Sequence, residues 1–428
     1  MKLESFKIKN FRCFQKISLN FHEQLTVIVG KNGAGKTSIL DALAKFLLLN
    51  LPRSECKSVE VSASDVCFFN QGSLEFRMFF SSVREQIYIF RKDDIKPDML
   101  FIRMYMPYFD EMKEAITREE QQKKLPFVAA YYSAQRCLTI ADRRFSSFSD
   151  NTSDEIFSSG FSPTINFTTS LEWFDSKDAE EARKRSKDKD LDYTDPELSA
   201  VRDAIIRAFP GEQYEFPHMD GTPPELYVTD TVNDYELKIT QLSEGYKTML
   251  ALVMDLARRM AAAKTIFFPD SPGQTLECPG IVLIDEVELH LHPAWQQTVL
   301  PSLMEIFPNI QFIVSTHSPQ VVTSVKPENL MILQDGSVAD VEISTYGAET
   351  SPVLEDVFGV STRPHNEATI ALGKYLDLID EGNGTFEEAL ALREKLETLM
   401  PGDPILATAD RMILREERRR ERMAKSHA

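Results

Sequence analysis

Cysteine, membrane-length apolar runs and positive charge are all scarce in this 428-residue sequence. Its five cysteines lack the paired spacing of a zinc site or a disulfide framework, so we expect them to be reduced and packed. No apolar run is long enough to span a membrane, and the N-terminus carries charged residues instead of a signal-peptide core. The sequence therefore predicts a cytoplasmic protein with no membrane among its partners.

Acidic residues outnumber basic ones, with 66 Asp and Glu against 48 Lys and Arg and a formal net charge of −18. A surface that coats nucleic acid everywhere is excluded, because phosphate binding needs a positive potential. The net charge does not exclude a local basic groove. The arginine-rich residues 411–425 predict either a solvated helix with internal ion pairs or a handle for an acidic partner or nucleic acid.

A glycine-rich segment, GKNGAGKT at residues 30–37, has the spacing of a phosphate-binding P-loop. The apolar residues 25–29 predict the buried strand that leads into such a loop, and residues 38–49 predict the helix that follows. Backbone amides and the helix dipole would hold the phosphates, Lys36 would reach the terminal ones, and Thr37 would bind Mg²⁺. The residues assigned to the nucleotide here are Gly30, Lys31, Asn32, Gly33, Ala34, Gly35, Lys36, Thr37 and Ser38.

A second apolar run, residues 281–284, ends in Asp285 and Glu286, as a buried parallel strand does when it delivers acids at its carboxyl end. This is the arrangement of a Walker B motif. Asp285 would hold Mg²⁺, and Glu286 would orient and deprotonate the attacking water. A third run, residues 311–314, leads to His317, where a neutral imidazole would contact the γ-phosphate and the water. We assign catalysis to Glu286 and His317.

A fourth segment, Leu-Ser-Glu-Gly at residues 242–245, begins a strongly apolar helical pattern. It resembles the signature motif of the ABC superclass of ATPases, in which the motif completes the nucleotide site of the opposite protomer. Its residues Ser243, Glu244 and Gly245 are therefore assigned to ATP bound by a partner copy, and one P-loop with one signature per chain favours a homodimer. An ordinary helix cap is the alternative.

The flanking segments resemble the RecF, SMC and OLD group of these ATPases. The opening residues alternate like an edge strand and end in Asn-Phe-Arg, which in that group lies beside the nucleotide. Arg12 is therefore either a nucleotide contact or a surface arginine. Residues 288–293, with His290 and His292, resemble the D-loop region at the dimer seam, and we expect structural or seam histidines there because no third metal ligand is near.

Residues 126–136 predict a strand ending in polar groups where ABC folds keep the Q-loop, so Gln135 is the candidate for a third Mg²⁺ contact. The Tyr-Tyr-Ser-Ala-Gln-Arg stretch, the Glu-Trp-Phe at residues 172–174 and residues 356–361 resemble PtuA-type ATPases of Septu and retron antiviral systems. That resemblance implies an HNH nuclease encoded beside the gene as partner.

These motifs predict an α/β fold, an ABC-type ATPase head with a mostly parallel P-loop sheet, an antiparallel β subdomain, a helical insert and a C-terminal helical element. The expected domains are an N-terminal lobe at 1–140, an insertion at 141–225, a C-terminal lobe at 226–345 and a helical element with a basic tail at 346–428. Residues 143–160 and 176–195 are expected to be loop or exposed helix, with Trp173 and Phe174 between them packed or contacting a partner.

The function predicted from the sequence is an ATP-controlled scaffold, a homodimer or larger assembly, that regulates a separate nuclease in antiviral defence. The residues after His317 lack the glutamate and Asp-x-Asp pattern of the Toprim nuclease that OLD-type proteins carry, so we expect no nuclease domain in the chain. A RecF-like repair ATPase that binds duplex DNA directly is the alternative, and a transporter ATPase ranks third.

Overall fold

The computed structural model of the protein describes residues 1–50, 65, 74–81, 83–90, 109–134, 161, 167–208, 214–221, 225–270, 273–339 and 345–426. The chain divides into two compact units, Met1–Gly359 and Val360–Ala428. The strands are β1 (Leu3–Phe11), β2 (Phe14–Asn20), β3 (Leu25–Gly30), β4 (Leu74–Phe80), β5 (Val83–Phe90), β6 (Val128–Tyr132), β7 (Tyr214–Asp220), β8 (Glu225–Asp230), β9 (Tyr235–Lys238), β10 (Gly280–Ile284), β11 (Ile310–Ser315), β12 (Leu330–Gln334) and β13 (Ser337–Ala339).

The helices of the first unit are α1 (Lys36–Asn50), α2 (Phe109–Lys123), α3 (Phe167–Asp188), α4 (Pro196–Arg207), α5 (Glu244–Phe267), α6 (Pro293–Gln296), α7 (Val299–Ile306), α8 (Pro319–Thr323) and α9 (Thr350–Asp356). The helices of the second unit are α10 (Glu367–Asp380), α11 (Glu387–Leu399) and α12 (Pro404–Ser426). In the part of the chain that the structure describes, no helix combines the length and apolarity that crossing a membrane requires.

A six-stranded sheet in the order β13-β12-β3-β11-β10-β6 forms the centre of the first unit. Strands β12, β3, β11, β10 and β6 are parallel, and β13 pairs antiparallel at one edge. Every residue of β3, β6, β10 and β11 is buried, which explains their continuous apolar sequences, because helices cover both faces of such a sheet. The carboxyl ends of β3, β10 and β11 therefore lie at one edge, which carries the candidate site.

An antiparallel sheet in the order β2-β1-β4-β5 packs beside the first. Strand β1 pairs with β2 on one side and β4 on the other, so the expectation of an edge strand at the N-terminus is wrong. Its alternation arises because one face of an interior strand is buried and the other is wet. Phe6, Phe46 and Phe76 pack together under the buried face, with centroids of Phe46 and Phe76 4.6 Å apart.

With the parallel P-loop sheet and the antiparallel sheet both present, the predicted fold class is confirmed. Helices α3 and α4 form the described part of the predicted insertion. Helix α3 covers residues 176–188 of the second charge-rich segment, whereas the serine-rich residues 143–160 lie outside the described residues. Trp173 and Phe174 are buried in α3 and pack in the core. The boundaries of the four predicted domains stay predictions. Helix α9, which the sequence assigned to the C-terminal element, lies within the first compact unit.

The second unit has a small core of its own. Its helices α10 and α11 belong to the predicted C-terminal helical element, and they bury Leu372, Tyr375 and Leu396 together. Arg363 makes two 3.0 Å hydrogen bonds to the carboxylate of Asp403 within this unit. In the arginine-rich helix α12, Arg419 lies 3.7 Å from Glu416, as the solvated-helix interpretation of that segment expects.

Two adjacent tyrosines of β6 bind to different helices. The hydroxyl of Tyr131 donates to Asp41 of α1 at 2.7 Å, and that of Tyr132 donates to Asp255 of α5 at 3.0 Å. Because neighbouring strand residues point to opposite faces, β6 connects the helix after the P-loop with the helix after the signature segment. The buried carboxylate of Asp255 also accepts hydrogen bonds from Arg258 at 3.2 Å and from Arg259 at 2.7 Å.

Two neighbouring arginines stabilise the ionised carboxylate of Asp255. Burial alone would raise the pKa of Asp255, but Arg259 and Arg258 offset burial and lower it below the ordinary value. A lowered folded-state pKa means that this carboxylate adds stability above its unfolded pKa, and the contribution is lost as pH falls through the folded pKa. The ion cluster should therefore support the fold throughout the neutral range.

The substitution Asp255→Asn should reduce the free energy of unfolding by about 3–5 kcal/mol, because two buried arginines lose their negatively charged partner. The exposed Asp203 of α4 provides a matched control, and Asp203→Asn should change stability by less than about 0.5 kcal/mol. Denaturant unfolding at pH 7 measures both. Equal stability of the two variants would contradict a supporting role for the cluster.

Candidate functional site

The P-loop curls tightly at the carboxyl end of β3. Gly30, Gly33 and Gly35 have φ angles of 155°, 79° and 96°, and the last two lie in the left-handed region that favours glycine. A Cβ atom at Gly35 would lie 2.4 Å from the Phe14 ring and 2.6 Å from Cys13 Sγ. A Cβ at Gly33 would meet nothing within 4 Å.

Lys36, the first residue of α1, makes hydrogen bonds back to the backbone of the P-loop. Its ammonium donates to the carbonyl oxygen of Gly30 at 2.8 Å and to that of Lys31 at 3.2 Å. Burial lowers the pKa of Lys36, and the nearby Asp285, Glu288 and Glu286 act in the opposite direction. The side chain is thus held where a lysine is needed for terminal phosphates.

One carboxylate joins three of the predicted motifs. Asp285, directly after β10, accepts a 2.8 Å hydrogen bond from the Thr37 hydroxyl and a second from the Ser315 hydroxyl at the end of β11. The Ser315 hydroxyl also accepts from the backbone N–H of Glu286 at 2.9 Å. Strand β11 lies between β3 and β10, so Ser315 bridges the gap between the P-loop and the Walker B acids.

Glu286 occupies an unusual backbone conformation, with φ at 48°. A non-glycine residue in the left-handed region is held there at a cost by its surroundings, and such residues cluster at functional sites. Here the Ser315 hydroxyl and the hydrogen bond from Val287 N–H to the Ser315 carbonyl, at 3.1 Å, hold the turn. The turn leaves the Glu286 side chain half-buried beside the Asp285 edge, as a residue that handles a water requires.

Glu288 is a site residue that the sequence reasoning missed. Its carboxylate accepts hydrogen bonds from the Thr316 hydroxyl at 2.7 Å and from the His317 backbone N–H at 2.5 Å. The His317 turn is thereby tied to the residues after Walker B. Burial, and then Lys36, lowers the pKa of His317, so its imidazole is neutral at pH 7. The sequence shows this acid two residues after the Asp-Glu pair, which could have marked it as a site residue. Its partners Thr316 and His317, however, follow a different strand.

Arg12 lies beside the P-loop helix, but acids hold it. Its guanidinium donates to Asp41 of α1 at 2.7 Å and to Asp65 at 2.8 Å, and it lies 3.5 Å from the Ser38 hydroxyl. The interpretation of Arg12 as a surface arginine does not describe it fully, because the residue is half-buried and pairs with two acids. The contact with Ser38 brings it to the start of α1, and its contact with a nucleotide stays a prediction.

The third proposed Mg²⁺ contact, Gln135, lies outside the described residues. The strand that leads to it, β6, pairs with the Walker B strand β10, and the Tyr132 carbonyl accepts a 2.8 Å hydrogen bond from Asp285 N–H. The chain therefore passes the Walker B acids three residues before Gln135. The position of its side chain stays a prediction.

The signature segment precedes α5, with Ser243 as its N-cap residue. Within the described structure the Ser243 side chain makes no capping hydrogen bond, and the residue is exposed, as is Glu244. A Cβ at Gly245 would lie 2.6 Å from the carbonyl oxygen of His290. The glycine therefore permits close packing of the signature helix against the D-loop region of the same chain.

A ring contact reinforces that packing. Tyr246 and Trp295 meet edge to face with centroids 3.9 Å apart. His290 has a φ of 64° and is exposed, whereas the ring of His292 accepts from the Ala294 N–H at 3.3 Å and caps α6. His292 thus has a structural role as a helix cap, whereas for His290 the choice between a structural and a seam role stays a prediction. The signature helix packs against the segment that contains both histidines.

The described residues fit ATP and Mg²⁺. Lys36 lies against the P-loop carbonyls, where its cation would meet phosphates, and the paired oxygens of Thr37 and Asp285 are the hard donors that Mg²⁺ prefers. Magnesium bound there would neutralise charge on the phosphates. Glu286 and His317 lie at the adjacent strand ends.

Comparison with known proteins identifies two family models in the chain. A model described as AAA ATPase domain matches residues 1–80, and one described as AAA domain, putative AbiEii toxin, Type IV TA system, matches residues 167–323. The chain therefore carries ATPase-type domains.

Curated relatives span most of the chain. It is 27% identical to the Retron Ec83 probable ATPase of Escherichia coli, over 92% of this chain and 82% of the relative. It is 24% identical to the Septu protein PtuA of Bacillus thuringiensis, over 94% of this chain and 95% of the relative. The DNA replication and repair protein RecF of Lactococcus lactis subsp. lactis matches only 10% of the chain, at 44% identity. The resemblance to retron and Septu ATPases is confirmed.

Solved structures with similar folds include an SMC head domain from Thermotoga maritima. It is 16% identical, with a TM-score of 0.40, and the alignment covers 80% of this chain and 100% of that one. The recombination mediator protein RecF-ATPrS of the RecFOR pathway is 15% identical, with a TM-score of 0.39. The alignment covers 79% of this chain and 98% of that one.

Removing the Glu288 carboxylate should disturb His317 and leave the P-loop intact. For Glu288→Ala we expect the hydrolysis rate to fall about 10- to 100-fold, as misplacement of a reacting group does, with nearly unchanged affinity for ATP. Steady-state rates and fluorescent-nucleotide titration measure the two effects. Glu305→Ala, at an exposed acid of α7, should leave both unchanged. A matching loss of ATP affinity in Glu288→Ala would argue against a positioning role.

A methyl group at Gly245 should separate the signature helix from the D-loop. Gly245→Ala should lower hydrolysis about tenfold or more, because displacement by about 1 Å is costly for a catalytic arrangement, while ATP affinity in the P-loop is retained. Gly373→Ala is the matched control, since Gly373 also lies in a helix but a Cβ there meets nothing within 4 Å. Equal rates in both variants would exclude a functional role for the close contact.

Proposed function

We propose that this chain binds ATP with Mg²⁺, hydrolyses it between two copies of itself, and controls a separately encoded HNH-type nuclease in antiviral defence. The observation that carries the proposal is the strand-end edge, where Thr37, Asp285, Glu286 and His317 are held together by Ser315 and Glu288. This is a hydrolytic arrangement, with a metal-binding pair, a carboxylate for water and a neutral imidazole.

The dimer is supported by the signature segment. Ser243 is exposed at the start of a 24-residue helix, and its hydroxyl is not used for capping. Its packing against the D-loop joins two segments that, in the ABC superclass, face the nucleotide of the opposite protomer. A phosphate brought by a second copy would meet a hydroxyl, backbone amides and a helix dipole. We therefore assign Ser243, Glu244 and Gly245 to the partner's ATP.

The regulatory role is supported by the relatives and by the chain's own content. The relatives named as retron ATPase and Septu PtuA are covered over more than four-fifths of their length. After His317, the described residues form short strands and helices, and the second unit is helical. Nuclease chemistry is therefore assigned to a second protein, and the direction in which ATP controls it is a question for experiment.

Two substitutions separate nucleotide binding from hydrolysis. Glu286→Gln should bind ATP and lower the hydrolysis rate by about 100-fold or more, the range for loss of a general base. Lys36→Ala should abolish ATP binding because the terminal phosphates lose their cation. Mass measurement in solution of Glu286→Gln, with and without ATP and Mg²⁺, should show an ATP-dependent dimer or larger assembly.

The same measurement after co-expression with the neighbouring gene product tests the regulatory role. Retention of a nuclease whose activity changes with ATP is the expected result, and the Lys36→Ala/Glu286→Gln double variant should show neither effect of ATP. A wild-type hydrolysis rate in Glu286→Gln would refute the catalytic assignment. A single species that is indifferent to nucleotide but binds duplex DNA would favour the RecF-like repair function.

A further inference from the structure

Helix α12 carries arginines that no described acid neutralises. Of the four arginines between residues 411 and 419, only Arg419 lies within ion-pair distance of an acid in the described part of the chain, 3.7 Å from Glu416. The interpretation of this segment as a solvated helix with internal ion pairs therefore accounts for Arg419. It leaves Arg411, Arg415 and Arg418 unexplained, in a chain with a formal net charge of −18.

These three arginines lie on one side of the helix together with a leucine. Arg411, Arg415 and Arg418 are spaced i, i+4 and i+7, and Leu414 lies between them at i+3. Ile413 lies on the opposite side of the helix and packs against the core of the second unit. The Leu414 side chain is 52% exposed, so the fold of a single chain does not cover this side. We call Arg411, Leu414, Arg415 and Arg418 the arginine face.

Helix α11 presents a side of opposite charge. Phe386, the N-cap residue, Leu390 and Glu394 recur every four residues and lie on one side, with Glu387 at its margin. Phe386 and Leu390 are each 58% exposed, whereas Leu396 on the other side is buried in the core of the second unit. Among the described residues, neither Glu387 nor Glu394 has an ion-pair partner. We call Phe386, Glu387, Leu390 and Glu394 the acidic face.

The arginine face and the acidic face are complementary in both charge and apolarity. Protein interfaces are anchored by aromatic, apolar and arginine side chains, and their carboxylates are best satisfied by guanidinium groups. One face supplies arginines around Leu414, and the other supplies carboxylates around Phe386 and Leu390. Contact between the two faces would bury all three apolar side chains and give each unpaired charge a partner of opposite sign. The surface that best fits each face is therefore the other one.

Both faces begin at the same place in the second unit. A Cβ at Gly384, in the connection between α10 and α11, would lie 2.8 Å from Cγ1 of Ile413 in α12. Phe386 follows this glycine by two residues, and the arginine face surrounds Ile413 in sequence. A unit that carries two complementary surfaces side by side can pair with a second copy about a two-fold axis, so that each surface meets its complement.

We propose that the arginine face of one copy binds the acidic face of a second copy, and the reverse, so that two chains pair without nucleotide. The contact uses residues of the second unit alone, whereas the contact proposed for ATP uses Ser243, Glu244 and Gly245 of the first. A chain with both contacts forms assemblies larger than a dimer when ATP is bound. The pairing does not rest on the proposed function, because it is measured in the absence of ATP, and failure of either one is visible separately.

The test reverses the charge of each face in turn. Sedimentation velocity of the 428-residue chain, freed of nucleotide with EDTA and a phosphatase, should show a concentration-dependent dimer. Arg415→Glu/Arg418→Glu should raise the Kd of this dimer about 100-fold or more, because like charges then meet across the contact. Glu387→Lys/Glu394→Lys should raise it to a similar degree. All four side chains are exposed, so the thermal midpoint of each variant should stay at the wild-type value.

Mixing the two charge-reversed proteins is the sharpest form of the test. In a mixed pair, the new acids on α12 of one copy meet the new lysines on α11 of the other. The second contact of the same pair retains the original arginines and glutamates. An equimolar mixture should therefore form the dimer that neither variant forms alone, a result that general damage to either protein would not produce.

Arg183→Glu/Arg207→Glu is the matched control. Arg183 of α3 and Arg207 of α4 are exposed helical arginines of the first unit, and each donates to the carbonyl oxygen one turn earlier in its own helix. The control changes the net charge by the same amount as Arg415→Glu/Arg418→Glu. It should dimerise as the wild type does, with or without salt-dependent changes common to all variants.

The proposal is overturned by any of three results. The first is a nucleotide-free wild type that stays monomeric at every concentration reached, including the case in which Arg415→Glu/Arg418→Glu releases a co-expressed neighbouring gene product instead. The second is an unchanged dimer in either charge-reversed variant, and the third is an equimolar mixture that does not associate. If a charge reversal lowers the thermal midpoint, Phe386→Ala/Leu390→Ala decides: a Kd raised about 10-fold or more at an unchanged midpoint supports the pairing, and a wild-type Kd refutes it.

Discussion

The strand-end edge depends on one buried carboxylate. Asp285 accepts from Thr37 on the P-loop helix and from Ser315 at the end of β11, and its own N–H binds the last residue of β6. Three strands and one helix therefore converge on a single residue. Because parallel strands end at the same edge, each needs only a short polar side chain to reach this point. The positions of Glu286 and His317 follow from that convergence.

Buried contacts join the P-loop helix to the signature helix and the signature helix to the residues after Walker B. The adjacent tyrosines of β6 connect the P-loop helix with the signature helix, and Gly245 and Tyr246 connect the signature helix with the D-loop. Packed interiors move as units because they have little free volume. The P-loop helix and the signature helix are therefore joined through packed elements, a connection that the proposed control by nucleotide would use.

Most of the fold and much of the site could be predicted from local patterns. The P-loop, the Walker B acids and the helices α10 and α11 have their chemistry in consecutive residues or in helical spacing, so the sequence alone identifies them. The expectation for β1 failed because alternation shows only that one face of a strand is wet, and an interior strand shares that property. Glu288 was missed because both of its partners, Thr316 and His317, lie just after another strand, far away along the chain.

The sequence by itself determined the local patterns, because the glycines and Lys36 of the P-loop lie within a few residues of one another, as do the two residues of the Asp-Glu pair; the roles assigned to them stay predictions. Only the tertiary structure decided which distant residues support them. Arg12 is shared between Asp41 and Asp65, and Glu288 holds the His317 turn. Strand pairing also decides which charges meet, because the register of three strands places Lys7 opposite Arg77 and Lys9 opposite Lys16. Hydrogen bonds and like-charge repulsion depend on distance in space, which the order of residues does not specify.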